Sequence, residues 1–287
     1  MGRLSRDRPA CWWKDFWTLV GLTVPNDGAL ILLSAYFDAS GRAGGAFSVA
    51  GFAFGPGRAK KAASSWHRLW RDTPCHMTDL HTRMEGSDFE GWTKVQAGKR
   101  LKDSVAIIKR YASNGVAVSC DLKEMNELAP RSAAKGSEHF LDGFESAYAT
   151  CSHLAMFSLG KMLDFLGKDS SIAYFFEAGD DNQAAASRFW SLASRSALKQ
   201  YYRHHSHTVI GKEDCRLLEM SDIFAWEWAK HRERISEGRH ERPSLTAILG
   251  KGFSSQIDFA SDNRRAIHLT GKPLKRYFDQ VKTLILS

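Results

Sequence analysis

Three carboxylates of this chain stand in apolar surroundings, where an acid is costly. Asp38 closes the run ALILLSAYFD, Glu177 closes SIAYFFE, and Asp222 sits within LLEMSDIFAWEWA. A carboxylate on an apolar face needs a cation, a donor or a metal ion to offset its desolvation. Singly, each is explained by an arginine partner or a turn cap. Delivered together by rigid elements, three acids repel one another and stay ionised only around a cation. Hard oxygen ligands suit Mg²⁺ or Mn²⁺, and two such ions clamp the attacking and leaving oxygens of an in-line displacement at phosphorus. The chemistry implied is metal-dependent phosphodiester cleavage.

Other chemistries fit less well. A zinc site built from His76, His81 and the HHSH tract at 204–207 lacks HExxH or Cys-pair spacing, so these histidines read as surface residues. There is no P-loop, GxSxG elbow or dinucleotide GxGxxG. Cys11, Cys75, Cys120, Cys151 and Cys215 are odd in number and scattered, which suggests reduced thiols in a cytoplasmic protein. Trp66, Trp70, Trp190, Trp226 and Trp228 fall on helical stripes expected to pack in the core rather than stack on bases.

The elements that must position the acids follow from periodicity. Residues 30–37 and 46–54 read as strands joined by a Gly-rich hairpin, 115–122 as a third, 171–177 as a fourth and 206–211 as a fifth. Helical spacing marks 58–72, 92–112, 138–166, 183–199 (capped by Asp181 or Asn182) and 215–234, and 74–91 reads as a polar loop. A hairpin followed by alternating strands and helices predicts a layered α/β fold, a mixed β-sheet flanked by helices. A helical insertion at about 57–113 follows the second strand. Alternation places Asp38 with Leu32, Ser34 and Tyr36, and Glu177 with Ala173 and Phe175. Asp222 shares a helical stripe with Leu218, Ala225, Trp226 and Ala229, facing the protein.

The main domain is expected at 29–238. Residues 1–28 form an extension whose Trp12, Trp13, Phe16, Trp17 and Val20 suit a short docking helix, interrupted by Lys14 and Asp15 and too short to span a membrane. Residues 239–287, with a short helix, a strand at 266–271 and a terminal amphipathic helix, read as a C-terminal packing extension.

At these acids the chain resembles a known family. YFDASG at 36–41, the AGFAF strand, YFFEAGDDNQ at 174–183 and LLEMSDIFAWE at 217–227 are similar to the markers of the domain of unknown function 3800 family, bacterial proteins regarded as ribonuclease H-like. The resemblance spans most of residues 30–235. It departs at Ala39, where the family's DESG motif carries an acid, and at Glu219 and Ser221, where Gln and Ala are usual. It implies a ribonuclease H-like fold and metal-dependent nuclease activity on DNA or RNA. It also implies a fourth acid, with Asp79 in CHMTDLH the first candidate and Glu145 on the long helix its rival; Asp180 and Asp181 read as turn and cap residues.

The net charge of +8 and pI of about 9.2 fit a nucleic-acid partner without requiring one. Arg58, Lys60 and Lys61, with Lys199, Arg203, His204 and His205, are phosphate-contact candidates or a solvated face. The competing reading is a non-catalytic module that binds nucleic acid or a partner protein, favoured by Ala39.

Overall fold

The apolar tract ending in YFDAS is strand β1, Ile31–Ser40, and it lies inside the sheet rather than at its rim. The computed structural model describes residues 31–41, 45–128, 146–165, 170–179, 186–187, 190–191, 197–250 and 264–286. All contacts below lie within the compact unit Leu32–Ser287. β1 pairs antiparallel with β2, Ala46–Phe54, which pairs antiparallel with β3, Asn114–Asp121. β4, Ser170–Glu177, flanks β1 on its other side and pairs parallel with β5, His204–Ile210. β6, Arg264–Leu269, pairs parallel with β3, so the order is β5-β4-β1-β2-β3-β6. The fold is a mixed α/β fold, a six-stranded mixed sheet flanked by helices.

Strand alternation gives the sheet two different faces. Leu33, Ala35 and Phe37 of β1 join Val116, Val118 and Cys120 of β3 and Ile172, Tyr174 and Phe176 of β4 in one core. That face is covered by helices α4 (Leu122–Leu128), α5 (Ala147–Phe165) and α8 (Gly271–Leu286). Phe37 stacks on Phe176 at 5.4 Å and Phe176 on Trp190 at 3.9 Å. Tyr36 and Phe175 stack at 4.9 Å on the opposite face, where Phe52 stacks on Phe224 of helix α6 (Leu218–Ser236) at 4.9 Å. Asp38 and Glu177 continue the series of Tyr36 and Phe175, and so share the α6 face.

The insertion after β2 holds α1 (Pro56–Trp70), α2 (Met77–Thr82) and α3 (Lys94–Tyr111). Pro56 opens α1, and Ala59, Ala62, Trp66 and Trp70 form its buried stripe. α3 starts two residues later than expected, at a capping box in which Thr93 accepts from the Gln96 amide and Gln96 accepts from the Thr93 amide. Residues 74–91 are not wholly a loop: Met77 and Leu80, three residues apart, bury one side of α2.

β5 begins at His204 rather than Ser206, and His204 is buried rather than on the surface, stacked on Tyr174 with Nε2 3.0 Å from His207 Nδ1. The strand read within the C-terminal extension is β6, a hydrogen-bonded member of the sheet. A further helix, α7 (Pro243–Leu249), packs on α3 and α6. The N-terminal helix, the 138–145 part of the long helix, the cap at Asp181 or Asn182 and Glu145 lie outside the described residues.

Candidate functional site

Asp38 lies two residues before the end of β1, and Glu177 is the last residue of β4. β1 and β4 are neighbours in space but not in sequence, since the chain runs from β1 through β2 and β3 before returning to β4. The ends of such strands form a crevice that open α/β sheets use for ligands. Asp222 is the fifth residue of α6, a helix buried nearly all round from Leu218 to Ala229 rather than along one stripe. It also carries Glu219, Ser221 and Glu227 inside.

The three acids converge on one atom. Lys212 Nζ lies 2.9 Å from Asp38 Oδ2, 3.1 Å from Glu177 Oε1 and 3.3 Å from Asp222 Oδ2. Lys212 sits in the turn after β5, whose last residue, Ile210, is opposite Glu177. Sequence reading missed this residue because a lone lysine in a polar turn carries no periodic or motif signal.

Around the ammonium, Asp222 Oδ2 accepts from the Met77 amide at 3.0 Å, and Asp38 Oδ1 accepts from the Ala39 amide at 2.6 Å. Asp38 Oδ2 is buried without a hydrogen bond of good geometry, leaving the Lys212 ion pair as its compensation. Burial, then the neighbouring Glu177 carboxyl, pushes Asp38 well above the usual carboxylate range, with Lys212 pulling the other way. Burial and then Asp38 push Asp222 up as well, opposed by Lys212 and the Met77 amide. Burial disfavours the Lys212 charge, yet Asp38, Asp222 and Glu177 outweigh it and hold the ammonium above its ordinary range. Three carboxyls share one ammonium in a largely buried space, which is why burial and mutual repulsion push Asp38 and Asp222 up; a divalent cation would favour their ionised forms.

The structure does not bring Asp79 to the ammonium. It is half-exposed on α2 and pairs with His76 Nδ1 at 3.1 Å, while the same turn offers the Met77 backbone N–H to Asp222. His81 packs against Trp226. Among the described residues no group of three or more His, Cys, Asp or Glu is arranged as a ready metal cage, because the acids close on Lys212 instead. The carboxylate oxygens nevertheless converge, and one of them lacks a hydrogen bond, so their chemistry is of the kind a hard divalent ion would take once the ammonium is displaced.

Two of the residues at which the chain departs from the motifs it resembles have structural uses. Glu219 accepts from Trp66 Nε1 at 2.6 Å, the Cys75 amide at 3.0 Å and Arg216 Nε at 2.8 Å. Ser221 Oγ donates to the Tyr36 carbonyl at 2.7 Å. Ala39 points to the α5 face and packs on that core, so an acid in its place would not share the face of Asp38.

The basic candidates are scattered: Arg58, Lys60, Lys61 and Lys199 are exposed, and Arg203 pairs with Asp164 at 2.7 Å. Trp66, Trp70, Trp190 and Trp228 are fully buried, and Trp226 nearly so. Cys75, Cys120, Cys151 and Cys215 are buried free thiols. Among the described residues no helix is long and apolar enough to cross a membrane.

No family model and no curated protein matches the chain. Among solved structures, that of the PCNA:RNase HII complex from Archaeoglobus fulgidus is similar at 17% identity over 88% of this chain and 89% of that chain. Its TM-score is 0.34, a likeness too loose to carry an argument about chemistry.

Proposed function

We propose that this protein is a ribonuclease H-like, metal-dependent nuclease whose Asp38, Glu177 and Asp222 hold Mg²⁺ or Mn²⁺ for cleavage of DNA or RNA. The observation that carries this reading is the convergence of all three carboxylates on one cationic point, within 2.9–3.3 Å of Lys212 Nζ. The sheet supports it: an antiparallel β1-β2-β3 meander on one side of β1 and the parallel β4–β5 pair on the other agree with the resemblance at YFDASG and LLEMSDIFAWE.

Divalent ions bound here would lower the pKa of a coordinated water and neutralise charge developing on a phosphodiester. The protein's own part is positional. β1 and β4 set Asp38 and Glu177 on one face, α6 sets Asp222 against them, and the Met77 amide fixes the Asp222 oxygen that faces the cluster. The buried setting weakens screening, so each charge acts more strongly than it would at a surface. Glu177 and Lys212, partly exposed, form the open side.

The Lys212 ammonium itself favours a second reading, in which it neutralises the acids permanently and the domain is a non-catalytic module binding nucleic acid or a partner protein. Calorimetry with Mn²⁺ and Mg²⁺ on the natural protein and on Asp38→Asn/Asp222→Asn separates the two. Binding by the natural protein that disappears in a folded double variant supports the nuclease and leads to cleavage assays on single- and double-stranded DNA and RNA. No binding in the presence of nucleic acid leaves the non-catalytic module.

A further inference from the structure

We infer that Lys212 is a built-in placeholder cation, holding the three carboxylates together and leaving the cluster when a divalent ion enters. This rests on the metal-site reading above and concerns how that site is filled. The inference begins from geometry. The Nζ atom has carboxylate oxygens of β1, β4 and α6 at 2.9, 3.1 and 3.3 Å, so it stands where those oxygens meet. A Mg²⁺ ion draws its oxygens to about 2.1 Å, and Mn²⁺ takes similar hard ligands, so either ion would claim the space of the ammonium. Two cations that close in a poorly screened setting repel strongly. The acids cannot serve both at once.

The ammonium has a way out. Lys212 lies in a turn rather than on a strand or helix, and its side chain is 18% exposed while Asp38 is 1% exposed. Its neighbours Glu213 and Asp214 are exposed. A four-carbon stem with a compact, strongly hydrated head can swing to solvent without moving the backbone. The three acids have no such freedom: β1, β4 and the buried α6 hold them, and the Met77 amide holds Asp222. Removing the lysine therefore leaves acids that repel but cannot disperse, a stronger trap for a divalent ion. The same turn makes Lys212 a positioning residue for the ion-free state.

The test is Mn²⁺ calorimetry on the full chain and on Lys212→Met, which keeps the stem and deletes the charge. The expected result is a dissociation constant lower by roughly tenfold or more in the variant, with a correspondingly larger Mn²⁺-induced rise in melting temperature. If the natural protein binds Mn²⁺ and the variant binds equally or more weakly, the placeholder role is overturned and the metal site stands. If neither folded protein binds Mn²⁺, the metal-site reading falls and the placeholder role falls with it. Binding by the variant alone would mean that the ammonium does not give way to the ion, which overturns the placeholder role and favours permanent neutralisation of the acids.

Should Lys212→Met not fold, the natural protein decides by amine acylation of Lys212, read by peptide mass spectrometry with and without Mn²⁺. Expulsion of the ammonium predicts labelling raised roughly fivefold, as its exposure and hydration increase. Unchanged labelling in a protein that calorimetry shows to be Mn²⁺-bound overturns the inference.

Discussion

The hydroxyl of Ser221 donates to the backbone carbonyl of Tyr36 at 2.7 Å, joining α6 to β1 beside both of the acids those elements carry. Asp222 follows Ser221, and Asp38 lies two residues past Tyr36. The bond thus fixes the height of the helix along the strand. Ser48 Oγ adds a second pin from β2, donating to the Ala225 carbonyl at 2.9 Å, one turn further along α6.

Ser221→Ala deletes the first pin without adding bulk. The expected loss is about 1–2 kcal/mol, seen as a melting temperature lower by roughly 2–6 °C with the circular dichroism of the native fold retained. An unchanged melting temperature would mean that the bond contributes nothing to docking α6.

Glu219 and Asp79 are acids of opposite kind. Glu219 is buried among Trp66, Cys75 and Arg216, whereas Asp79 is half-exposed with His76 as its partner. Glu219→Ala strands those donors and is expected to cost about 3–5 kcal/mol. Asp79→Asn is expected to change stability by no more than about 0.5 kcal/mol and to leave Mn²⁺ affinity intact. Urea denaturation and calorimetry check the pair; weakened Mn²⁺ binding in Asp79→Asn would return Asp79 to the ligand set.

Arg242 donates from Nε to Glu227 Oε2 at 2.6 Å and from Nη2 to Oε1 at 3.1 Å, and its guanidinium lies 4.8 Å from the Trp226 ring centroid. Glu227 is fully buried, so Arg242→Ala leaves its charge uncompensated. A loss of about 3–5 kcal/mol is expected, with Glu227→Gln/Arg242→Ala recovering part of it in the same urea titration. This pair ties the segment beyond residue 238 to the central helix.

Acid should weaken the fold through His153. Its Nε2 lies 2.5 Å from Tyr202 Oη, Nδ1 contacts Tyr277 Oη, and burial pushes the imidazole down to about 3. An unfolded chain takes up that proton near pH 6.5, so between these values it binds a proton the folded protein does not. The neutral imidazole's contribution is complete above about pH 6.5 and is lost as pH falls toward about 3, at about 1.4 kcal/mol per pH unit. His204 and His268, each held at about 4 chiefly by burial, add in the same direction. These histidines should lower the urea midpoint between about pH 6 and pH 4, against the opposite contribution of Asp38 and Asp222, whose carboxyls burial pushes up. His153→Gln, less stable at neutral pH, should show a shallower slope; an equal slope would exclude His153 as a source.

Much of this architecture was legible in the chain because local patterns reflect local physics. Alternation marked β1 to β4 and the face shared by Asp38 and Tyr36, and helical spacing marked α1, α3 and α6. The isolation of three acids in apolar runs singled out Asp38, Glu177 and Asp222, which the fold places around one point, whereas Asp79 stays outside it.

What only the tertiary structure decided depends on contacts between distant residues. Lys212 meets acids 174, 35 and 10 positions away, and no window of sequence contains that relation. α2 was hidden because its buried side is only Met77 and Leu80. The burial of Glu219 and Glu227 was equally hidden, since a helix enclosed nearly all round shows no clean stripe, and beside the nearby Arg216 the groups that compensate these two acids, Trp66, the Cys75 amide and Arg242, come from elsewhere in the chain. Periodicity reveals which way a side chain faces; the partner that neutralises it is chosen by the folding of the whole chain.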